Sequence, residues 1–420
     1  MRTTETQNGS LEKIRTAKNN LKNIASLTPL QLNNFLSEKF NASVFLKRED
    51  LQVVRSFKIR GAYNKIFSLG KAAKERSVVC ASAGNHAQGV AYSCALLGIQ
   101  GTVFMPLPTP KQKTDQVRWF GKDFIVVRLT GDTFDDCCEK AKRFCEENNS
   151  LFIHPFDDEQ VIAGQGTLAL ELLEQSAAHI DYLFIPIGGG GLAAGMVNVF
   201  KTLSPKTKLV GVEPEGAAGM KRSLEAGRVL SLSEIDRFAD GAAVKQVGDL
   251  TFSLCKNFLD AVVLVPEGKI CSSLLELYNR SAIVTEPAGA LSVAALDLFS
   301  EEIKGKNVVC VVSGGNNDIG RMEEIKERSL VFEGFKHHFL VNFPQRAGAL
   351  KEFVNQVLGD GNDITRFEYL KKTNREKGAV LIGIELGKKE DLPGLKERMG
   401  ANGFTFSYVD PGSEIFSFLL

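Results

Sequence analysis

The chain has 420 residues, 51 Lys+Arg against 50 Asp+Glu for a formal net charge of +1, with 44% apolar and 24% charged residues. It is longer than one core usually grows, so two or three packed units are expected, and its balanced charge excludes recruitment to nucleic acid or membrane by bulk electrostatics. The polar stretch Met1 to Asn20 lacks the apolar core of a signal peptide and no later apolar run is long enough to span a bilayer, which places the protein in the cytoplasm.

From about Ser43 to Asn317, short β-rich runs alternate with Gly-containing turns and helical stretches, the pattern of an α/β protein with a largely parallel sheet. Strands are expected at Ser43 to Leu46, Val78 to Ala81, Gly101 to Met105, Phe124 to Arg128, Leu183 to Ile187, Lys208 to Val212, Val262 to Val265 and Val308 to Val312. A helical pattern, Asp132 to Glu147, stands among them. Such sheets bind ligands at the carboxyl ends of their strands. Three of these ends carry Gly-rich or Asn-bearing turns: Ala83-Gly84-Asn85-His86, Gly188 to Gly191, and Ser313-Gly314-Gly315-Asn316.

After Arg321 a charged helical segment, Met322 to Arg328, leads into a shorter unit. Its pieces are His338 to Phe343, Ala349 to Leu358, Asp363 to Tyr369, Gly378 to Glu385, Leu392 to Met399 and Phe404 to Tyr408, a βαββαβ ferredoxin-like order. The expected division is residues 1–320, a linker over 321–336, and a C-terminal domain over 337–411. Eight cysteines (Cys80, Cys94, Cys137, Cys138, Cys145, Cys255, Cys271, Cys310) form no C-x-x-C pair and mostly occupy apolar segments, so buried thiols are favoured over disulfides or metal ligands.

Lys58 stands just after a turn, at the start of a helical stretch in Ser56-Phe57-Lys58-Ile59-Arg60-Gly61-Ala62. The positive end of the helix dipole and desolvation both disfavour an ammonium there and free the amine to attack an aldehyde. A lone lysine so placed is more often a solvated surface residue; only its company argues otherwise. Gly188-Gly189-Gly190-Gly191-Leu192 follows an apolar run and opens a helix, so its backbone N–H groups suit a phosphate. A dinucleotide site is the rival reading, because Gly188, Gly190 and Ala193 fit G-x-G-x-x-A and Glu213 follows the next strand. A nicotinamide-dependent dehydrogenase would leave Lys58 and Ser313 without roles.

The combination of the Lys58 segment, Ser82-Ala83-Gly84-Asn85-His86-Ala87-Gln88-Gly89, Gly188 to Leu192 and Ser313 to Asn316 resembles the fold-type II pyridoxal-phosphate enzymes, the threonine dehydratases in particular. The resemblance spans Leu11 to Asn317, with the motifs in family order, and implies a two-lobed fold of parallel sheets like that of the tryptophan synthase β chain. It implies that Lys58 bonds to the aldehyde of pyridoxal 5'-phosphate, that Gly188, Gly189, Gly190, Gly191 and Leu192 hold the phosphate, that Asn85 meets the ring hydroxyl and that Ser313 meets the pyridine nitrogen. His337 to about Asp410 resembles the single ACT-like regulatory domain of short-form biosynthetic threonine dehydratases.

The implied activity is dehydration and deamination of L-threonine to 2-oxobutanoate and ammonia, with the freed Lys58 amine removing the α-proton and the cofactor phosphate assisting departure of the hydroxyl. A serine opposite the pyridine nitrogen, unlike a carboxylate, leaves the ring a weaker electron sink, which suits prompt elimination. The amides of Ser82, Ala83, Gly84 and Asn85 would bind the substrate carboxylate. Related serine racemases carry a serine where this chain has Ala83, so elimination is preferred to racemisation. L-serine dehydration or racemisation by the same fold and a non-catalytic amino-acid sensor are the remaining alternatives. Isoleucine is the expected inhibitor, with valine as an antagonist, near Arg346, Gly348, Ala349 and Leu350 before a helix and near Asn362 and Ile364 at the next strand. A dimer or tetramer of like chains is expected. His86 is expected to cap its own helix, Glu286 to line the cofactor or simply to begin a helix, and His154, His179, His337 and His338 show no metal-ligand spacing.

Overall fold

The structure, a computed structural model, describes residues 2–369, 376–413, 416 and 419, with side chains from residue 9 onward. The chain divides into two compact units, Met1–Asp318 and Ile319–Leu420. In the first unit lie β1 (Leu30–Leu32), β2 (Ser43–Arg48), β3 (Val78–Ala81), β4 (Gly101–Met105), β5 (Ile125–Leu129), β6 (Leu151–Phe152), β7 (Tyr182–Pro186), β8 (Lys208–Pro214), β9 (Ala261–Val265) and β10 (Asn307–Val312). They build a six-stranded sheet, β1-β2-β10-β7-β8-β9, and a four-stranded sheet, β5-β4-β3-β6. All neighbours pair in parallel except the edge pair β1 and β2. The strands read from the sequence are all present; β1 and β6 are too short to have been read.

Parallel strands covered on both faces need apolar side chains on both. Val78, Val79, Cys80 and Ala81 of β3 are accordingly all buried, as are Val308 to Val312 of β10. Helices cover both sheets, and their starts are written locally: Asn33 accepts from Leu36 N, Asp158 accepts from Gln160 N and Val161 N, and Thr133 with Asp136 forms a capping box. Seven of the eight cysteines are buried, Cys138 is half-buried, and none is in a disulfide.

One helix sets the site's geometry. Helix Glu159–Gln175 runs between the helix that begins at Lys58 and the helix that begins at Gly191. A methyl group on Gly164 would stand 2.7 Å from Gly61 Cα, and one on Gly166 would stand 2.9 Å from Gly195 O. Contacts that close require glycine, so two glycines two residues apart lock the lysine helix and the glycine-turn helix to a common spine.

The second unit holds β11 (Lys336–Pro344), β12 (Asp363–Tyr369), β13 (Lys377–Glu385) and β14 (Thr405–Val409) as an antiparallel sheet ordered β12-β13-β11-β14. With helices Ala349–Gln356 and Leu392–Ala401 this is the expected βαββαβ sandwich, its core formed by Phe339, Val341, Phe343, Val380, Ile382 and Ile384 with Phe353, Leu395 and Met399. The 321–336 segment is not an extended linker. Met322–Phe332 is a helix of the second unit that buries Ile325 and Ser329, its Glu327 pairs with Lys336, and Lys336 already opens β11. Among the described residues no helix is long and apolar enough to cross a membrane.

Candidate active site

β10 and β7 are neighbours in register, Cys310 opposite Phe184, so the Ser313 turn and the Gly188 turn emerge side by side at one end of the large sheet. The Ser313 turn is latched to the lysine segment: Phe57 N donates to Ser313 O at 3.2 Å, Gly315 N donates to Arg55 O at 2.9 Å, and Ser56 bridges Gly314. Ser82 to Asn85 follow β3 of the small sheet. Their helix, Asn85–Leu97, packs on the lysine helix where Gly89 approaches Lys58 O; a methyl there would lie 3.2 Å away.

Lys58 is the first residue of its helix, and its Nζ donates to Pro155 O at 2.8 Å. Desolvation lowers its pKa to about 8, against a smaller opposing pull from Glu286. The amine is therefore reactive near neutral pH, which a solvated lysine is not. Pro155 belongs to a loop that binds the whole site together. Ile153 O takes a hydrogen bond from the His86 ring at 2.9 Å, and His154 Nδ1 accepts from Asp157 N at 2.8 Å. Phe156 lies against the glycine turn, and Asp157 accepts from Leu250 N and Thr251 N at 3.1 and 3.0 Å, capping helix Asp249–Phe258.

The turn from Gly188 to Gly191 tolerates no side chain. A methyl on Gly188 would stand 3.0 Å from Ala242 Cα, one on Gly189 would overlap the Phe156 ring, and one on Gly191 would stand 2.9 Å from Phe156 Cβ. Gly190 adopts φ 92° as the N-cap, and a methyl there would lie 2.9 Å from Thr251 Cβ. Thr251 Oγ1 donates to Gly189 O at 2.7 Å and fixes the turn from beneath. Leu192, buried, follows in the first turn of the 13-residue helix. A bare backbone cradle opening a helix suits a phosphate, and a desolvated amine suits an aldehyde, so the residues present fit pyridoxal phosphate.

Asn85 is buried and doubly held: its Nδ2 donates to Glu286 Oε1 at 2.6 Å, and its Oδ1 accepts from Asn316 Nδ2 at 2.6 Å. Glu286 is the buried N-cap residue of helix Pro287–Ala294, and desolvation together with Asp240 raises its pKa to about 7. Glu286 thus begins its helix and also reaches across to Asn85. Ser313 is buried, with Oγ 3.3 Å from Ala288 O. A segment the sequence did not single out closes the ring: a methyl on Gly241 would lie 3.2 Å from Glu286 Oε1, while Ala242 backs Gly188. That segment is tied to the helices of the small sheet by Lys113 with Asp240 and by Lys245 with Asp135.

Two expectations are corrected, and the rival dinucleotide reading is set aside. His86 does not cap its helix; its Nε2 reaches across to Ile153 O, and burial lowers its pKa to about 3, leaving it neutral. Glu213, the acid required by the dinucleotide reading, is buried and accepts from Met220 N and Lys221 N at 2.7 and 2.8 Å, so it serves the adjoining helix and leaves no group for a ribose. In the second unit, Gly348 caps helix Ala349–Gln356 with φ 86° and Arg346 pairs with Glu352. Asn362 bonds Asp391 at 3.0 Å and Gly387 N at 3.3 Å, and Ile364 packs on the core. These two groups do not share a pocket within one chain. The Arg346 turn follows Pro344, which pairs with Lys377, whereas Asp363 pairs with Glu385, opposite Lys336 at the far end of β11. The strand separates them by about 26 Å at about 3.3 Å per residue.

A buried charge network missed in the sequence supports the lysine helix. Arg60 makes paired bonds to Glu49 (2.8 and 2.8 Å) and Glu171 (2.6 and 2.9 Å), and Lys47 meets Glu171 at 2.8 Å. Two cations thus balance two anions one turn's reach from Lys58.

Residues 22–314 match the family of pyridoxal-phosphate dependent enzymes, and residues 327–419 match the C-terminal regulatory domain of threonine dehydratase. The chain is 55% identical over 410 residues, 98% of its length and 99% of the relative's, to a biosynthetic L-threonine dehydratase of Halalkalibacterium halodurans. It is 57% identical over 404 residues, 96% of each chain, to that of Bacillus subtilis. The solved processed form of threonine deaminase isoform 2 from Solanum lycopersicum is similar with a TM-score of 0.74 at 39% identity, over 77% of this chain and 94% of that one.

Proposed function

The chain belongs to the biosynthetic L-threonine dehydratases, pyridoxal-phosphate-dependent enzymes with a C-terminal regulatory domain, and we propose that the residues gathered around Lys58 carry that reaction. The observation that supports this assignment above others is the single loop from Ile153 to Asp157, which touches the Lys58 amine, His86 and the glycine cradle at once.

In this reading the cradle from Gly188 to Leu192 holds the cofactor phosphate, Asn85 meets the ring oxygen, Ser313 meets the ring nitrogen, and Lys58 is the attachment point. When bound, pyridoxal phosphate supplies an electron sink for the carbon next to the amino group. Lys58 supplies the base. Its pKa of about 8 lets the amine take the α-proton near neutral pH, and Pro155 O gives one of its hydrogens a fixed direction. The half-buried loop Ser82 to Gly84 and the first amides of helix Asn85–Leu97 orient the substrate carboxylate. Ala83 has no exchangeable proton, so the face opposite Lys58 lacks a donor there, which supports elimination over racemisation. The neutral Ser313 hydroxyl, placed against the ring nitrogen, would not stabilise its protonated form, which suits prompt loss of the β-hydroxyl.

The regulatory domain takes isoleucine as its inhibitor, with valine as antagonist, in an assembly of like chains; the separation of Arg346 from Asn362 means that at most one of those segments contributes to a site built by one chain. The test is product analysis with L-threonine and L-serine, scoring 2-oxobutanoate, pyruvate and D-serine, on the full chain and on a chain ending at Asp318. Predominant 2-oxobutanoate, with isoleucine raising the threonine requirement only of the full chain, is the expected result. D-serine as main product would overturn the elimination reading, and an equal isoleucine response of both chains would overturn the regulatory one.

A further inference from the structure

Asn85 stands in the middle of a hydrogen-bond relay whose directions are all determined. Val54 O can only accept, so the group facing it at 2.9 Å is Asn316 Nδ2. The same nitrogen lies 2.6 Å from Asn85 and spends its second hydrogen there, which makes the Asn85 atom an acceptor, Oδ1. Asn85 Nδ2 then faces Glu286 Oε1 at 2.6 Å. An amide nitrogen carries two hydrogens, and this bond uses one. Flipping the Asn85 amide would set N–H against N–H at Asn316 and oxygen against oxygen at Glu286.

We propose that Glu286 is a positioning residue that fixes the Asn85 amide so that its remaining N–H, and not its carbonyl oxygen, is presented to the cofactor ring oxygen. This rests on the reading of Asn85 as the ring-oxygen contact and assigns the direction of that contact. The carboxyl has little freedom to do otherwise: it is 4% exposed, Glu286 N is tied to Gly314 O at 3.2 Å, and the carboxyl is enclosed by Gly314 and Gly241. A methyl on Gly314 would stand 2.9 Å from Glu286 Cδ and 3.2 Å from Asn85 Nδ2, so the turn that carries Ser313 also seats the relay. The role needs an acceptor facing Asn85, which either protonation state of the carboxyl provides. A glutamine oxygen provides it equally, and a methionine of similar length does not.

The experiment compares holoprotein absorption spectra and cofactor affinity for the wild type, Asn85→Ala, Glu286→Gln, Glu286→Met, Glu286→Leu and Asn316→Leu, with melting temperatures of each. Asn85→Ala should shift the bound-cofactor band and weaken cofactor binding about tenfold, the scale of one lost hydrogen bond. Glu286→Met should reproduce that shift, Glu286→Gln should keep the wild-type band, and the Asn85→Ala/Glu286→Met pair should bind cofactor no more weakly than Asn85→Ala alone. If Glu286→Met does not fold, Glu286→Leu removes the same acceptor with a shorter apolar chain and should give the same shift, whereas Asn316→Leu leaves Glu286 facing Asn85 and should keep the wild-type band. A wild-type band in Glu286→Met, or in Glu286→Leu where Glu286→Met does not fold, beside a shifted one in Asn85→Ala overturns the relay alone. An unshifted band in Asn85→Ala overturns the ring contact and the relay with it.

Discussion

Stripping the cofactor and letting it return exposes the chemistry of Lys58 directly, because only the neutral amine attacks an aldehyde. Desolvation places this amine at about 8 instead of the usual 10.5. At pH 7 about one-tenth of such a lysine is neutral, against about three in ten thousand at the ordinary value. The rate of cofactor attachment, divided by that of a simple alkylamine to remove the cofactor's own titration, should therefore have a distinctive shape. In absolute terms the Lys58 rate climbs about tenfold per pH unit up to about pH 8 and then levels, while the alkylamine continues to climb past pH 10. Glu286 raises the Lys58 pKa, so Glu286→Gln should move the inflection down. Stopped-flow absorbance on the cofactor-free protein reads both effects. A rate still rising at pH 10, or an inflection that moves up in Glu286→Gln, would falsify the desolvation argument.

Arg60→Met removes six hydrogen bonds, four of them to carboxylates, and leaves Glu49 and Glu171 with Lys47; breaking a buried ion cluster in this way should cost about 3–5 kcal/mol, read as a large drop in the urea midpoint, and a loss below about 1 kcal/mol would contradict it. Gly189→Ala puts a methyl into the Phe156 ring and should weaken cofactor binding in an absorbance titration; wild-type affinity would mean the turn is not the cradle. Ser313→Asp should favour a protonated ring nitrogen and raise side reactions relative to 2-oxobutanoate formation, and an unchanged product ratio with an unchanged cofactor spectrum would count against the role of Ser313.

Much of the site was legible because its requirements are local. A strand buried on both faces has to be an apolar run, as Val78 to Ala81 is, and a turn pressed against Phe156, Ala242 and Thr251 has to be glycine, as Gly188 to Gly191 are. Lys58 was legible only in company, since nothing in its own surroundings in the chain reports the desolvation that lowers its pKa. What stayed hidden is what long-range contacts decide. Phe156 and Asp157 lie in an unremarkable loop until folding sets them against Gly189 and Thr251, and Arg60 meets partners at Glu49 and Glu171 that no periodicity links to it. Glu213 fitted a dinucleotide pattern by spacing, yet folding turned it onto Met220 N and Lys221 N. The Arg346 and Asn362 segments, close in sequence, were set apart by the length of β11.

In the proposed reading Lys58 is both the base and the cofactor anchor of a threonine-eliminating site. The most direct test is steady-state release of 2-oxobutanoate from L-threonine by the wild type and by Lys58→Ala, each reconstituted with pyridoxal phosphate, with the visible absorption of bound cofactor recorded in parallel. The wild type should release 2-oxobutanoate and show the band. Lys58→Ala should lose the band and nearly all turnover while keeping its melting temperature in the cofactor-free form, whereas turnover near the wild-type rate in that variant would contradict the assignment.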